Sequence, residues 1–426
     1  MNTEDNCLFF KDVKFYILYT FILSAVTDFS QFKEAKPSWD ISDLNISDER
    51  VKRLFHPRYL STISSCKIIT PPSIKIKGID IESFRSISWP NERDHKNIYR
   101  KLVEEKSEIL ENTTLQIEIW VFPGGFCGFL LCFNLHGNYS SRHLVALANG
   151  LIDYGAKLRL ISGRSSRIVD IICDVSSKLI YHTHSSQEDF SYYESFSIIV
   201  PEQIEPGLPE AKDYFKPPYN RSLFSVSIRR GEFQEVDVDV FEKTQKNISV
   251  YKSDILILNY HNMLIYVRGE LHIPPFAYIN IIVMLKTMAA MLHHYDIMTY
   301  RQLRNIKNIP NRLKDLRSYT RQLEKTKLQV IQAIDTFRML TGVSSVRAKM
   351  IIDSGLQIFE IEPLVQSLDH KLQDMNSLLS SHYNLQMQKQ LQLLTIIFSF
   401  FTLIVTITGI IGLDRLIEFF KKLFGG

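Results

Sequence analysis

Two groups of side chains in the middle of the sequence have the types and spacing to bind a metal ion. His182 and His184 alternate in the sequence YHTH and would share one face of a strand, where two imidazoles suit a transition metal. Glu235, Asp237 and Asp239 alternate with valines and would line one face of another strand, where three carboxylates suit Mg²⁺ or Ca²⁺. Polar residues on solvent-facing strands explain both groups without a metal, and we favour that interpretation.

A basic segment follows further along the chain. Residues 301–327 contain nine lysines and arginines but only two acidic residues, Asp315 and Glu324. Such a concentration of positive charge suits anionic lipid headgroups or an anionic nucleotide, and a solvated helix face is the simpler alternative. The residues that we expect at an anionic-ligand or lipid site are Arg304, Lys307, Lys314, Arg317 and Arg321.

Polar and small residues also mark one face of an apolar segment near the end of the sequence. Residues 393–413, LLTIIFSFFTLIVTITGIIGL, carry no charge and no proline. Within and just before this run, polar or small residues recur at steps of three and four, which is the spacing of one helical face. They are Gln388, Gln392, Thr395, Ser399, Thr402, Thr406 and Gly409.

Two arrangements explain this polar face. In the first, the helix packs against copies of itself, because small and hydroxylic residues let helices approach closely and hydrogen-bond to each other. In the second, the face lines a water-filled path for ions. Both arrangements need several copies of the chain, so the sequence predicts a homo-oligomer.

The apolar run itself predicts a transmembrane helix. At about 1.5 Å per residue, its 21 residues cross the ~30 Å hydrocarbon core of a lipid bilayer. A lone apolar span can satisfy its backbone polar groups only as a helix. The tail, residues 414–426, mixes apolar and charged residues like an amphipathic helix at the membrane interface. Its three basic residues favour a cytosolic C-terminus, which conflicts with the cytosolic N-terminal bulk that we favour.

Length and composition limit the classes of protein to which this chain can belong. The 426 residues leave room for two or three domains, and a hydrophobic content of 45% is ample for a folded core. The net charge of +4 fits a protein near anionic lipid and gives no reason to expect a nucleic-acid partner. Five cysteines without metal-ligand spacing indicate reduced thiols in a cytosolic compartment. We therefore predict a protein that spans the cell membrane once and keeps its N-terminal bulk in the cytosol.

The common catalytic signatures are absent from the sequence. The sequence contains no P-loop, no GxSxG, no HExxH and no complete dinucleotide fingerprint. We therefore predict that the protein is not an enzyme. A membrane-anchored hydrolase that uses His182 and His184 is the least favoured hypothesis.

Strands and helices alternate over residues 1–274, which predicts an α/β or α+β layered head. The apolar residues 15–26 predict a buried strand or a strand–helix junction. Further strands are expected at residues 73–81, 195–200, 223–228 and 235–240, and hairpins at 115–121 with 129–135 and at 255–259 with 263–268. Helices are expected at residues 92–111 and 140–153, and a proline-rich loop at 206–218.

From residue 275 onwards the pattern is helical. Apolar residues keep a heptad-like spacing over 309–337 and, after breaks near Gly342 and Gly355, again over 361–379, which predicts coiled-coil-like helices. The second helix runs into the apolar span without a stop signal. The predicted parts are a cytosolic α/β head (1–274), a long helical stalk (275–392), a transmembrane helix (393–413) and an amphipathic interfacial tail (414–426).

The order of these parts, together with two short motifs, resembles the CorA-type divalent cation transporters. The motifs are MQKQLQLLTII at residues 387–397 and GIIGLD at residues 409–414, and the resemblance covers residues from about 250 to 414. It implies a cytosolic α/β head, long helices that lead into a pore-lining membrane helix, a pentamer, and transport of Mg²⁺ or another divalent cation. Where the family has Gly-x-x-Gly-Met-Asn, this chain has Gly409, Gly412, Leu413 and Asp414, and we find no counterpart of the family's second membrane helix.

Two function hypotheses follow from the sequence. In the first, the protein is a homo-oligomeric, CorA-like membrane protein whose single span forms or gates an ion path under the control of a ligand- or ion-sensing head. In the second, it is a tail-anchored scaffold or regulatory protein that conducts no ions.

Overall fold

The structure is a computed structural model. It describes residues 8–23, 67–71, 73–84, 92–105, 110, 113–122, 126–179, 190–229, 247–249, 251–268, 275–305, 321, 324, 328, 331, 346–411, 417, 418, 421 and 422. These residues contain a mixed α/β sheet domain and additional helices, including a long apolar helix towards the C-terminal end. To that extent the predicted fold class is confirmed.

Ten strands form one mixed sheet within the described residues. The strands are β1 (Phe9–Leu23), β2 (Lys67–Ile69), β3 (Ile74–Asp80), β4 (Thr114–Val121), β5 (Phe126–Ser140), β6 (Lys157–Leu160), β7 (Ser165–Arg167), β8 (Phe190–Glu205), β9 (Ile255–Leu258) and β10 (Asn262–Tyr266). Their order across the sheet is β7-β6-β3-β4-β5-β1-β8-β10-β9, and β2 pairs with β4. All of these pairs are antiparallel except β8 with β10, which run parallel.

The central strand is β1, which pairs with β5 on one side and β8 on the other. Phe15 lies opposite Phe133 of β5 and Ile199 of β8. Ile17 and Leu18 are both fully buried although they point to opposite faces, so both faces of the sheet are covered here. The buried strand predicted within residues 15–26 is therefore confirmed, with an earlier start at Phe9.

Both predicted hairpins are confirmed. β4 pairs antiparallel with β5, and β9 pairs antiparallel with β10. The strands predicted at residues 73–81 and 195–200 correspond to β3 and to part of the much longer β8. The strand predicted at residues 235–240 lies outside the described residues.

The described residues include eight α-helices with defined bounds. They are α1 (Glu92–Glu105), α2 (Ser141–Ile152), α3 (Ile168–Leu179), α4 (Ala211–Tyr214), α5 (Asn220–Ile228), α6 (Pro275–Asn305), α7 (Val346–Ile358) and α8 (Ile361–Ile411). The first two confirm the helices predicted at 92–111 and 140–153, and α4 is a short helix inside the predicted loop at 206–218. Leu144, Leu147 and Leu151, whose spacing predicted α2, are buried in the main hydrophobic core.

The strand predicted at residues 223–228 is wrong, because these residues form α5. Arg229 ends the helix in the left-handed conformation, with a φ of 57°. Asn259 donates a hydrogen bond of 2.7 Å to the Ser227 carbonyl, and Asn262 donates one to the Val226 carbonyl. These amides satisfy carbonyls that a helix end leaves open. They lie 32 and 36 residues away in sequence, so the local pattern contained no sign of them.

The helix break predicted near Gly355 is also wrong, because Gly355 lies inside α7. A Cβ atom at this position would lie 2.7 Å from Leu285 Cδ1, so the glycine allows α7 to pack closely against α6. The helix path breaks instead at Glu360, whose φ is 52°. The other predicted break, near Gly342, lies outside the described residues.

The chain divides into two compact units. One comprises Met1–Tyr295 and Gln329–Val365, and the other comprises Asp296–Leu328 and Gln366–Gly426. The first unit therefore includes part of the segment predicted as stalk. The reason is that α6 is apolar over residues 279–292 apart from Asn280, Lys286 and Thr287, and a helix that is apolar nearly all round is stable only when it is buried. Ile282, Val283 and Leu285 are accordingly fully buried.

The apolar spacing over residues 361–379 corresponds to buried positions on α8. Ile361, Leu368 and Met375 are fully buried, and Leu372 is 7% exposed. The other predicted set, over residues 309–337, falls almost wholly outside the described residues. The coiled coil therefore stays a prediction.

Candidate functional site

Helix α8 is continuous through the predicted junction between stalk and membrane span. Its 51 residues correspond to about 76 Å at 1.5 Å per residue. Two of the described helices are long and apolar enough to cross a membrane, α6 and α8. The apolar window of α6 is 78% buried, whereas none of the α8 window is. The apolar part of α8 therefore exposes its side chains, with Phe398 at 66% and Val405 at 68%.

All seven residues of the predicted polar face lie on α8 and are exposed. They are Gln388, Gln392, Thr395, Ser399, Thr402, Thr406 and Gly409. A turn of 100° per residue brings them to one side of the helix. A Cβ atom added at Gly409 would have no neighbour within 4 Å, so this end of the face is open.

Three hydroxyl groups on this face donate hydrogen bonds to their own helix. Thr395 Oγ1 donates to the Leu391 carbonyl at 2.8 Å, Thr402 Oγ1 donates to the Phe398 carbonyl at 2.8 Å, and Thr406 Oγ1 donates to the Thr402 carbonyl at 2.7 Å. A hydroxyl has one proton and two lone pairs. Because each proton is directed inwards, the outward side of these threonines offers oxygen lone pairs.

The remaining predicted site residues are only partly placed. Arg304 is exposed in the last turn of α6, and Arg321 is an exposed helical residue. The other members of the basic site lie outside the described residues, as do both candidate metal groups; these are Lys307, Lys314, Arg317, His182, His184, Glu235, Asp237 and Asp239. Within the part of the chain that is described, no three His, Cys, Asp or Glu side chains are placed to hold a metal ion.

A site that sequence reasoning missed is centred on Lys286. This lysine lies in the buried part of α6, and its side chain is 1% exposed. Its Nζ atom lies 2.6 Å from Oε2 of Glu194 in β8. The other carboxylate oxygen of Glu194 accepts a hydrogen bond of 2.9 Å from the Tyr260 hydroxyl. A buried charge requires such partners, since an isolated one would be strongly destabilising.

Three aromatic rings complete the surroundings of this ammonium group. Lys286 Nζ lies 4.1 Å from the ring centroid of Tyr260, 4.5 Å from that of Phe359 and 5.6 Å from that of Phe196. These distances are within the range of cation–π attraction. Below, Lys286, Glu194, Tyr260, Phe359 and Phe196 are called the lysine cage.

The cage shifts the acid–base equilibria of its members. Burial lowers the pKa of Lys286, while the charge and hydrogen bond of Glu194 oppose that shift. Burial is the largest single effect on Glu194 and disfavours its ionised form, but the charge and hydrogen bond of Lys286, the Tyr260 hydrogen bond and the charge of His261 together outweigh it, so the pKa of that carboxyl is lowered. Burial, followed by the Glu194 charge, raises the pKa of Tyr260 to about 12. Glu194 thus favours the charged form of Lys286, and Lys286 favours the charged form of Glu194.

A sequence signal for the lysine cage did exist. Lys286 is the only charged residue in INIIVMLKTMAAML, residues 279–292. A lone lysine in an apolar helix indicates burial, and burial requires a counter-charge. The sequence does not reveal which carboxylate supplies it, because Glu194 lies 92 residues away.

A second ion pair joins α6 to α8 within the second unit. Asp296 Oδ1 accepts hydrogen bonds from Lys371 Nζ at 2.5 Å and from Ser367 Oγ at 2.7 Å. Both charged side chains are about one-fifth exposed. Lys371 Nζ also lies 5.8 Å from the ring centroid of Tyr300. These contacts fix the part of α8 that precedes the exposed apolar run.

The first unit also has an open cavity of about 460 Å³ beside α4. Its lining includes Lys212, Lys252, Tyr251 and Phe215. Lys212 already forms an ion pair with Glu210 at 2.5 Å, so part of the positive charge in this lining is neutralised. The cavity does not indicate a particular reaction.

No protein-family model, curated protein or solved structure matches this chain.

Proposed function

We propose that the chain is a single-pass membrane protein that assembles with copies of itself, and that the polar face of α8 lines or gates a cation path controlled by the head. The observation that carries this proposal is the exposure of an uncharged apolar run on a helix whose earlier part buries one row of side chains, Ile361, Leu368, Leu372 and Met375. Lipid is the solvent that such a run requires, because exposed apolar patches of this size are unfavourable in water.

The orientation of the hydroxyl groups supports a cation path over hydrogen-bonded helix packing. The outward side of Thr395, Thr402 and Thr406 offers lone pairs, since their protons are donated to the helix backbone. Lone pairs on neighbouring copies cannot hydrogen-bond to one another, but oxygen lone pairs are the ligands that replace water around a hard cation. The proposed ion is Mg²⁺ or another divalent cation, in keeping with the CorA-like motifs.

We propose that the protein lies in the cell membrane with its head in the cytosol. A single span then places the tail on the other side of the bilayer, where Lys421 and Lys422, which are helical and exposed, would meet headgroups of the outer leaflet. Arg304 and Arg321, which precede the span, are exposed as well and would contact anionic headgroups of the leaflet that faces the cytosol. The proposed partners are the bilayer and further copies of this chain.

The second candidate function is a non-conducting, tail-anchored scaffold or regulatory protein. One observation favours it. The threonine protons already have partners within the helix, so the polar face could contact lipid or small residues of a second helix without any water. In that case the polar face of α8 serves only to let helices of neighbouring copies pack closely.

Replacing Thr402 with leucine distinguishes the two candidates. If the face lines a path, the substitution adds an apolar constriction in every copy, and we expect divalent cation flux into liposomes to fall by about ten-fold or more. The matched control is Ile404→Leu. Ile404 lies two residues after Thr402 and about 200° around α8, on the opposite side of the helix at nearly the same depth. This substitution should leave flux unchanged. Flux would be measured with a Mg²⁺-sensitive dye enclosed in liposomes that contain the purified protein.

Equal flux in the Thr402→Leu and Ile404→Leu proteins would exclude the polar face as the path. Absence of flux in the unmodified protein, at protein densities that place several assemblies in each liposome, would favour the anchored scaffold.

A further inference from the structure

The lysine cage lies where elements of the first unit meet the start of α8. Glu194 belongs to β8, Tyr260 to the turn between β9 and β10, and Lys286 to α6. Phe359 belongs to the junction between α7 and α8. Only Glu360 separates Phe359 from the first residue of α8. The cage therefore contacts the chain directly before the long helix begins.

The backbone at this junction is strained. Glu360 has a φ of 52°, in the left-handed region that a residue with a Cβ atom rarely adopts. Strain of this kind persists only where the surrounding structure holds the chain in place. Three backbone hydrogen bonds contribute, from Phe359 N to the Gly355 carbonyl at 2.9 Å, from Glu360 N to the Gln357 carbonyl at 3.3 Å and from Leu364 N to the Glu360 carbonyl at 3.3 Å.

The ring of Phe359 supplies the remaining restraint. It packs edge-on against Phe196 at 5.9 Å and against Tyr260 at 6.3 Å between centroids. The same ring attracts the ammonium group of Lys286 at 4.5 Å. Because Lys286 also forms an ion pair with Glu194, its ammonium group links the Phe359 ring to β8.

We propose that Lys286 is a latch: its charge holds the Phe359 ring, and with it the left-handed junction at Glu360, so that removal of the charge loosens the start of α8. The Glu194 side chain is 27% exposed, against 1% for Lys286. Glu194 is thus the member of the pair that a ligand can reach from solvent. The inference rests on the proposed function only in giving the loosened helix a role in the membrane, and the latch itself is tested within the first compact unit.

Hydrogen–deuterium exchange of the full-length, detergent-solubilised protein tests the latch without any measurement of flux. Lys286→Met removes the charge while keeping an unbranched side chain that packs well against aromatic rings. We expect the amides of Phe359, Glu360 and Leu364 to exchange about ten-fold faster, as a lost cation–π contact would allow. The matched control is Lys349→Met, the same substitution at an exposed lysine of α7, which should exchange like the unmodified protein.

Two further results decide the question. The double variant Glu194→Gln with Lys286→Met, which lacks the ammonium but leaves neither partner as an unpaired charge, should accelerate exchange of the same three amides. Amides in the middle of β1, such as that of Ile17, should keep their protection in the Lys286→Met protein, because the latch acts locally. Unchanged exchange at the junction in Lys286→Met would overturn the proposal, and so would an equal acceleration in β1 and at the junction.

Discussion

Replacing Glu194 with glutamine is expected to lower the free energy of unfolding by about 3–5 kcal/mol, the range found when one partner of a buried ion pair is removed. The reason is that Lys286 would keep a charge at 1% exposure without the carboxylate that lies 2.6 Å from it. The side chain would then have to lose its proton or draw water into the core. Denaturant unfolding of the detergent-solubilised protein, followed by tryptophan fluorescence, would measure the change.

Two variants serve as controls for this prediction. Glu202→Gln makes the same substitution at an exposed position of β8 and should change the free energy of unfolding by less than about 0.5 kcal/mol. The double variant Glu194→Gln with Lys286→Met removes both charges, so most of the lost stability should return. A Glu194→Gln protein as stable as the Glu202→Gln protein would show that the pair contributes nothing to the fold.

The second large effect concerns the apolar part of α8. Lysines at Phe400 and Leu403 together are expected to raise the free energy of membrane insertion by about 6 kcal/mol, since one lysine at the centre of a span costs about 2.5–3.5 kcal/mol. Both side chains are strongly exposed on α8, at 61% and 56%, so their loss leaves no cavity in either compact unit. Alkaline extraction of cell membranes should release the variant and retain the unmodified protein.

The matched control adds the same two charges to the same helix outside the proposed span. Leu385→Lys with Leu391→Lys alters side chains that are 52% and 58% exposed, and these lysines would lie in water or at the interface. This protein should stay in the membrane fraction. Release of both variants, or of neither, would contradict the assignment of residues 393–413 to the bilayer.

Local patterns predicted much of the fold. The apolar run that became β1, the two hairpins and the continuous path of α8 all follow from the spacing of neighbouring residues, which depends only on the geometry of strands and helices. The same holds for the polar face of α8, because its members repeat at helical steps. Each of these features depends on residues that are close together in the sequence.

The errors and omissions have a different origin. Helix α5 was predicted as a strand because a short buried apolar run looks alike in either state, and the amides of Asn259 and Asn262 that close the helix end come from distant sequence. The partners of Lys286 are assembled in the same way from separate elements. Contacts of this type depend on tertiary packing, so the residues next to each member in the sequence do not reveal its partners.

The most direct test of the proposed membrane assembly is the mass of the detergent-solubilised protein by native mass spectrometry. With one span per copy, enclosing a path along Thr395, Thr402 and Thr406 requires a ring of helices, and we predict five or more copies of the 49.6 kDa chain. A monomer or dimer would contradict the ion path, because one or two helices cannot surround water, and it would leave the anchored scaffold as the function.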